Sequence, residues 1–397
     1  MAIRPRGTTL FDVARAAGVS KSTAARVLAG EGSASAPAVA KVKKAAAELG
    51  YTPNAIAKAM VSGSSHTIGI LVPDVASAFF AAVVRGFTDT ARAAGFEVML
   101  GNTDRTDADE DRSLEVFIEH RVAGIALAPH NRAHSTPLTQ LIDRGFPLVM
   151  LDRPTPAAPG ADVVGLDHAA AGALATEHLL DQGHRAIAVV VSDSTRIPRI
   201  LADPPADRLD DEVLRPDELR LLGYVRALRA HGLQPDPELV VEVPYTPQEA
   251  QETVLAFLTG TRDAGSDSGS SSDSLAGAAG TTPGASDSTP TATSATALLC
   301  TDSLMSTAGY RALIDAGISY PEDMSFLAFD DQDWCTMVRP AVSVIAQPDV
   351  QLGQQAASAL IARIRGDRAG AKHTELAARL QVRGSTAEPR EHSLTEA

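Results

Sequence analysis

The stretch "TLFDVARAAGVSKSTAARVLAG", residues 9–30, carries one glycine in the middle of what otherwise reads as a single helix. Leu10, Val13, Ala14 and Ala17 recur at helical spacing and share one face, and Gly18, which has no Cβ, can turn the chain where that face ends. Ser20 is placed to cap a second helix from Lys21 to about Leu28, whose apolar side is Ala24, Val27 and Leu28. A third helix, capped by Ser35 and running from about Pro37 to Leu49, would close a small core through Val39, Val42, Ala46 and Leu49. Such an arrangement is a helix-turn-helix. Its second helix lies in the major groove with its N-terminal side chains, here Lys21, Ser22 and Arg26, at base edges.

Charge sets this stretch apart from the rest of the chain. Residues 1–63 hold nine cations (Arg4, Arg6, Arg15, Lys21, Arg26, Lys41, Lys43, Lys44, Lys58) and three acids (Asp12, Glu31, Glu48), a net of +6. The whole chain of 397 residues has 35 basic and 49 acidic residues, a net of −14, so the remainder carries −20. A basic head on an acidic body predicts that only the head meets a polyanion, although a solvated basic helix face fits the same count.

Several classes fall away at this level. The 44% hydrophobic content is that of a globular protein, and the length suits two or three domains. The longest apolar runs, such as "AIAVVVS" from Ala186, are strand-length, far short of the roughly 20 residues of a membrane helix. The start, "MAIRPRGTTLFD", turns polar at once, so no secretory signal is expected and the protein should stay in the cytoplasm, away from membranes. Cys300 and Cys335 form neither a disulfide framework nor a metal-ligand spacing, and neither a cofactor nor a metal site is expected.

From Thr67 the pattern changes to strands alternating with amphipathic helices. The strand-like runs are "TIGILVPD", "FEVMLGN", "VAGIALAP", "FPLVMLD", "DVVGLD", "AIAVVVSD", "LVVEVPY", "TALLCTD", "MSFLAFDD" and "VSVIAQP", with helix-length segments such as Ala81 to Ala94, Ala170 to Leu180 and Ser303 to Ala316 among them. This alternation predicts βαβ units with parallel sheets, and about ten strands suit two lobes better than one. Run after run closes on a polar residue: Asp74, Asn102, Asp152 with Arg153, Asp167, Asp302, Asp330 with Asp331, and Gln347. Open α/β sheets bind ligands at these ends. Carboxylates, a guanidinium and aromatic faces (Phe79, Phe80, Trp334) together suit a polyhydroxylated small molecule; a strand-end Asp that merely caps a helix, or a Trp packed under a loop, is the competing reading at each position.

"LFDVARAAGVSKSTAARVL" followed by "AAELGYTPNAIAKAM" resembles the head of the lactose-repressor and galactose-repressor family of bacterial transcription regulators. "IGILVPDVASAFFAAVVRG", "MLDRP", "ATEHLLDQGHRAIAVV", "ELRLLGY", "SYPEDMSFLAFDD" and "VIAQP" resemble that family's effector domain, so the likeness spans nearly the whole chain. The fold this implies is an N-terminal all-α helix-turn-helix domain with a hinge helix, joined to an α/β two-lobed periplasmic-binding-protein-like domain with parallel sheets. The resemblance implies a homodimer on a palindromic double-stranded DNA operator, with a sugar or sugar derivative as small-molecule effector. It assigns DNA contacts to Thr9, Ser20, Lys21, Ser22, Thr23, Arg26, Asn54, Ala57 and Met60, the last as an apolar wedge in the minor groove. It carries the strongest effector contacts to Arg220 and Asp330, with Asp152, Phe79 and Phe80 next, while the strand-end reading adds Asp74 and Asp302, and Trp334 after the paired acids is a candidate for stacking. Two departures stand out: Ala24 and Ala25 replace the usual Val and Ser, removing one hydroxyl contact to a phosphate, and Thr301 stands where relatives often have Asn.

The expected organisation is a DNA-binding domain over 1–52, a hinge helix over 53–63 and an effector domain over 64–387. Lobe one would take about 66–164 plus 349–375, and lobe two about 165–346 plus 376–387. Two stretches leave the family pattern: 195–216, long, Pro-rich and charged, and 264–297, whose Ser, Thr, Gly, Ala, Asp and Pro predict a disordered insertion. A polar tail over 388–397 shows no Leu heptads. A solute-binding protein of a transporter would need an export signal and no basic head. An enzyme on this scaffold would need a Gly-rich phosphate loop, a G-x-S-x-G elbow or a Cys/His pairing at the strand ends, whereas His168 and His184 read as isolated.

Overall fold

The computed structural model describes residues 8–29, 34–51, 65–130, 134–202, 214–261 and 294–390. The head holds α1 (Leu10–Ala17), α2 (Lys21–Ala29) and α3 (Ala36–Glu48). Thr9 and Asp12 cap α1 reciprocally, the Thr9 N–H donating to Asp12 at 3.0 Å, and Gly18 ends it with φ +67°. Val13, Ala14, Ala17, Ala24, Val27, Val42, Ala45 and Ala46 form the core. Two expectations shift here. Leu49, the residue that caps the end of α3, is 38% exposed, and Ala45 is buried in the core in its place; Ser35 sits at the cap position of α3 without a side-chain cap bond.

The body has two sheets. The first takes β1 (Thr67–Val72), β2 (Glu97–Asn102), β3 (Ile125–Leu127), β4 (Leu148–Asp152), β5 (Asp162–Leu166) and β11 (His373–Leu376), in the order β11-β5-β4-β3-β1-β2. The second takes β6 (Ile187–Ser192), β7 (Val240–Val243), β8 (Ala297–Cys300), β9 (Ser325–Phe329), β10 (Ser343–Ala346) and β12 (Arg379–Gln381), in the order β12-β10-β9-β8-β6-β7. Every pairing is parallel except β10 with β12. Both sheets thus repeat one doubly wound order, in which ligands meet the carboxyl ends of the strands. The first sheet keeps β5 through Leu166 and β11 through Leu376, so both changes of lobe come a residue or two later than expected.

Helices cover both faces of each sheet. In the first lobe α4 (Ala78–Ala93) and α13 (Asp349–Ile364) pack on one face, and α5 (Asp107–Glu119) and α6 (Thr136–Asp143) on the other. In the second, α7 (His168–Asp181) and α9 (Pro216–Ala230) face α10 (Pro247–Thr259) and α11 (Ser303–Asp315) across the sheet. Short α8 (Ile197–Ala202) and α12 (Trp334–Met337) complete it. With both faces covered, the strands read as unbroken apolar runs, β6 being buried at all six positions. Helices α7 and α9 cross in backbone contact: a Cβ on Gly172 would lie 2.1 Å from the Arg220 carbonyl, and one on Gly223 would lie 2.0 Å from that of Ala169. That crossing fixes Arg220 against the start of α7. Residues 264–293 of the expected insertion lie outside the described residues, whereas Ala295 is buried and Ala297 opens β8, so the last part of that stretch belongs to the second lobe.

Candidate functional site

In the head, the side chains at the start of α2 stand clear of the core. The Ser20 hydroxyl accepts from the Thr23 N–H at 3.1 Å and lies 2.9 Å from the Ser22 hydroxyl and 2.8 Å from that of Thr23. Lys21, Ser22 and Arg26 are exposed, with the Arg26 Nε 3.4 Å from the Ser22 carbonyl. Thr9 is occupied in the α1 cap and also exposed. The outward face of α3 adds Lys41, Lys43 and Lys44. Asn54, Ala57 and Met60 lie outside the described residues.

In the body, a cleft of about 250 Å³ opens between the lobes at the carboxyl ends of both sheets. Asp152 ends β4 and Asp330 directly follows β9, the matching strands of the two lobes, and both take left-handed backbone, at φ +69° and +67°. That conformation is uncommon away from glycine and collects at functional sites. A hydrogen-bonded chain joins them. The Asp152 carboxylate lies 3.0 Å from His168 Nε2; Arg220 Nη2 reaches His168 Nδ1 at 3.1 Å and Gln347 Oε1 at 2.9 Å; and the Gln347 amide donates to Asp330. A guanidinium can only donate, so Nδ1 of His168 accepts and Nε2 carries the proton given to Asp152. Arg220 is further held by the Thr301 carbonyl at 2.5 Å and by the Phe329 ring beneath it at 4.6 Å. Thr301 therefore works through its backbone, its hydroxyl being spent on the Val190 carbonyl at 2.8 Å.

Electrostatics divides the carboxylates. Burial pushes Asp152 up, but His168, Arg220 and Arg153 outweigh it and hold its carboxyl below the usual range. Burial wins at Asp302 and Asp330, which sit above it. Acceptor carboxylates and donor guanidinium groups in one cleft together meet both sides of a hydroxyl, which donates one hydrogen bond and accepts others.

Of the residues picked from the sequence, the structure brings Phe79, Phe80, Asp152, Arg220, Asp302 and Asp330 to the cleft lining, with Arg153 and Gln347 from the other strand ends. Two are not there. Asp74 turns back to accept from the Ala76 N–H at 2.9 Å, and Trp334 stacks on Tyr310 at 4.9 Å and donates to Gln332 at 2.5 Å. Three further strand ends also serve the fold: Asn102 accepts from Val75, Asp167 caps α7 and Asp331 pairs with Arg383. His168 and His184 are not isolated. His168 is the middle of the chain above, and His184 is bonded to Thr296 and Ser325. Sequence reasoning missed Arg105, Tyr245, Arg215 and Asp217, which loops and a helix start carry to the cleft. The only hint was the charged stretch 195–216, which contains Arg215.

Fold and site define a class: a helix-turn-helix head on a two-lobed α/β domain with a polar cleft between the lobes. Residues 9–54 match bacterial regulatory proteins of the lacI family, residues 68–265 the periplasmic binding protein domain, and residues 176–386 the periplasmic binding protein-like domain. The chain belongs to the lacI family and is a DNA-binding transcriptional regulator. It is 28% identical over 379 residues to the HTH-type transcriptional regulator PtxS of Pseudomonas putida, covering 95% of this chain and 96% of that one. To the ribose operon repressor of Escherichia coli it is 28% identical over 382 residues, covering 95% and 99%. The solved complex of the transcriptional regulator CelR with cellobiose aligns at a TM-score of 0.61 and 26% identity, over 96% of this chain and 100% of that one. The lac repressor dimer bound to operator and the anti-inducer ONPF aligns at 0.72 and 21% identity, over 96% and 100%, a likeness of fold. These relatives are regulators, neither transporter-binding proteins nor enzymes. Among the described residues, no helix is long and apolar enough to cross a membrane.

Proposed function

We propose that this regulator is a homodimeric repressor of sugar or related carbon-source genes, and that a polyhydroxylated small molecule entering the interlobe cleft changes its affinity for a palindromic operator. The observation that carries the reading is the chain from Asp152 through His168, Arg220 and Gln347 to Asp330, which ties both lobes to one set of donors and acceptors. A ligand that bonds this chain from both sides favours one arrangement of the lobes, and that differential affinity is what couples the cleft to the DNA. Relatives named for ribose and cellobiose support a sugar-like effector. Base reading falls to Lys21 and Ser22, with Arg26 on a base or a phosphate, and Thr9, Ser20 and Thr23 beside them. Residues 53–63 act as the hinge, with Met60 as the wedge.

A thermal-shift panel of sugars, sugar derivatives and nucleosides tests the cleft. An effector raises the Tm of the wild type, and raises it further as its concentration climbs above its Kd, but leaves Arg220→Ala unshifted. Equal shifts in both proteins would place the ligand elsewhere.

A further inference from the structure

The cleft holds more guanidinium groups than neutral hydroxyls need. Besides Arg220, it is lined by Arg105 from the loop after β2, Arg153 just past β4, and Arg215 at the start of α9. Arg153 spends one edge on a single acceptor: Nε and Nη2 reach the Pro129 carbonyl at 3.3 and 2.9 Å. Its Nη1 is buried with no hydrogen-bond partner among the described residues. Buried donors without partners are rare in native proteins. The edge left over, Nη1 with the second Nη2 proton, is the planar fork that meets a carboxylate or a phosphate with two parallel bonds.

Two more cations lie close by. Arg105 stacks 4.0 Å over the Tyr245 ring and donates to its hydroxyl at 3.0 Å, reaching from the first lobe to the second. Arg215 donates through Nη2 to the Ser192 and Asp193 carbonyls at 3.3 and 3.1 Å and to Asp217 at 3.3 Å, while its Nε lies 3.5 Å from Glu218. It ends the charged stretch 195–216, which departs from the family pattern. The charge on Arg153 is disfavoured first by burial and also by the like charges of Arg215 and Arg105, with Asp152 and Asp217 opposing. The four cleft carboxylates already have protein donors. Asp152 meets His168, Asp217 meets the Ser192 N–H and Arg215, Asp302 meets the Met305 N–H, and Asp330 meets Gln347.

We propose that Arg153, with Arg105 and Arg215, forms an anion subsite in the cleft, so that the effector is a polyhydroxylated anion carrying a carboxylate or a phosphate rather than a neutral sugar. The inference rests on the effector reading of the cleft. Calorimetric titration of the full chain with matched probes tests it: D-glucose, D-gluconate and glucose-6-phosphate, and D-ribose, D-ribonate and ribose-5-phosphate. At least one anion is expected to bind about tenfold or more tighter than its neutral parent, and whether it is the carboxylate or the phosphate identifies the source of the charge. Arg153→Gln should weaken that anion about 10- to 100-fold and the neutral parent far less, whereas Arg153→Lys recovers part of the loss by keeping the charge without the fork. Arg105 is exposed, so Arg105→Gln leaves the core undisturbed and should weaken the anion by a smaller factor. Neutral parents that bind as tightly as their anions, or an Arg153→Gln variant that weakens both alike, would overturn the subsite while leaving the effector cleft standing. Silence of every probe on the wild type would overturn the effector reading beneath it.

Discussion

His184 is 1% exposed, with Nδ1 2.8 Å from the Thr296 hydroxyl and Nε2 2.9 Å from both the Ser325 hydroxyl and the Ala387 carbonyl. Burial lowers its pKa below the ordinary imidazole value; the Ala387 carbonyl opposes this and His178 adds to it. A histidine more acidic folded than unfolded makes the unfolded chain take up the proton first. Its contribution to stability is therefore present above the unfolded value, about 6.5, and is lost as pH falls below it. The wild type should accordingly lose Tm between about pH 7 and pH 5.5, with amide protection at residues 385–387 going first, and His184→Gln should show a flatter dependence. An identical slope in the two proteins would contradict this. At the residue scale the sequence is a partial guide. Asp152, Asp302 and Asp330 were legible because a strand end in a parallel sheet is a place as well as a residue type. His168 and His184 were not, because their partners lie from 16 to 203 residues away and no local pattern announces them.

Helices α7 and α9 set the position of Arg220 through their two glycines. A methyl on Gly223 would lie 2.0 Å from the Ala169 carbonyl and 2.7 Å from the Ala173 nitrogen, both backbone atoms that cannot rotate away. Gly223→Ala should cost about 1–3 kcal/mol, read as a lower denaturant midpoint at unchanged m-value. It should also weaken effector binding, because the helices can separate only by moving Arg220 from His168 and Thr301. Unaltered stability would mean that the crossing is looser than described. At this scale the sequence was most informative. Gly18, Ser20 and the apolar spacing of residues 10–28 delivered the helix pair, and the closing polar residue of each run marked the strands. The misses fall where tertiary packing decides, as when Leu49 at the end of α3 is exposed while Ala45 is buried, or where left-handed backbone at Asp104 and Arg105, φ +46° and +59°, throws a loop side chain across the cleft.

Over the whole molecule, a head of net +6 joins a body of net −20 that has two lobes of one topology and a cleft at their facing strand ends. Opposite charge at the two ends suits a protein that holds DNA only through its head and answers a small molecule only through its body. The two-lobe plan was readable from the count and alternation of strands. The lining of the cleft was not, since it is assembled from loops of both lobes that share no period. Coupling between the cleft and the operator-binding head is read from operator affinity, measured by fluorescence anisotropy with and without effector. Saturating effector should change wild-type operator affinity by about 5- to 150-fold, and the change should disappear in Arg220→Ala and Asp330→Ala. A shift of the same size at the same effector concentration in both variants would contradict it.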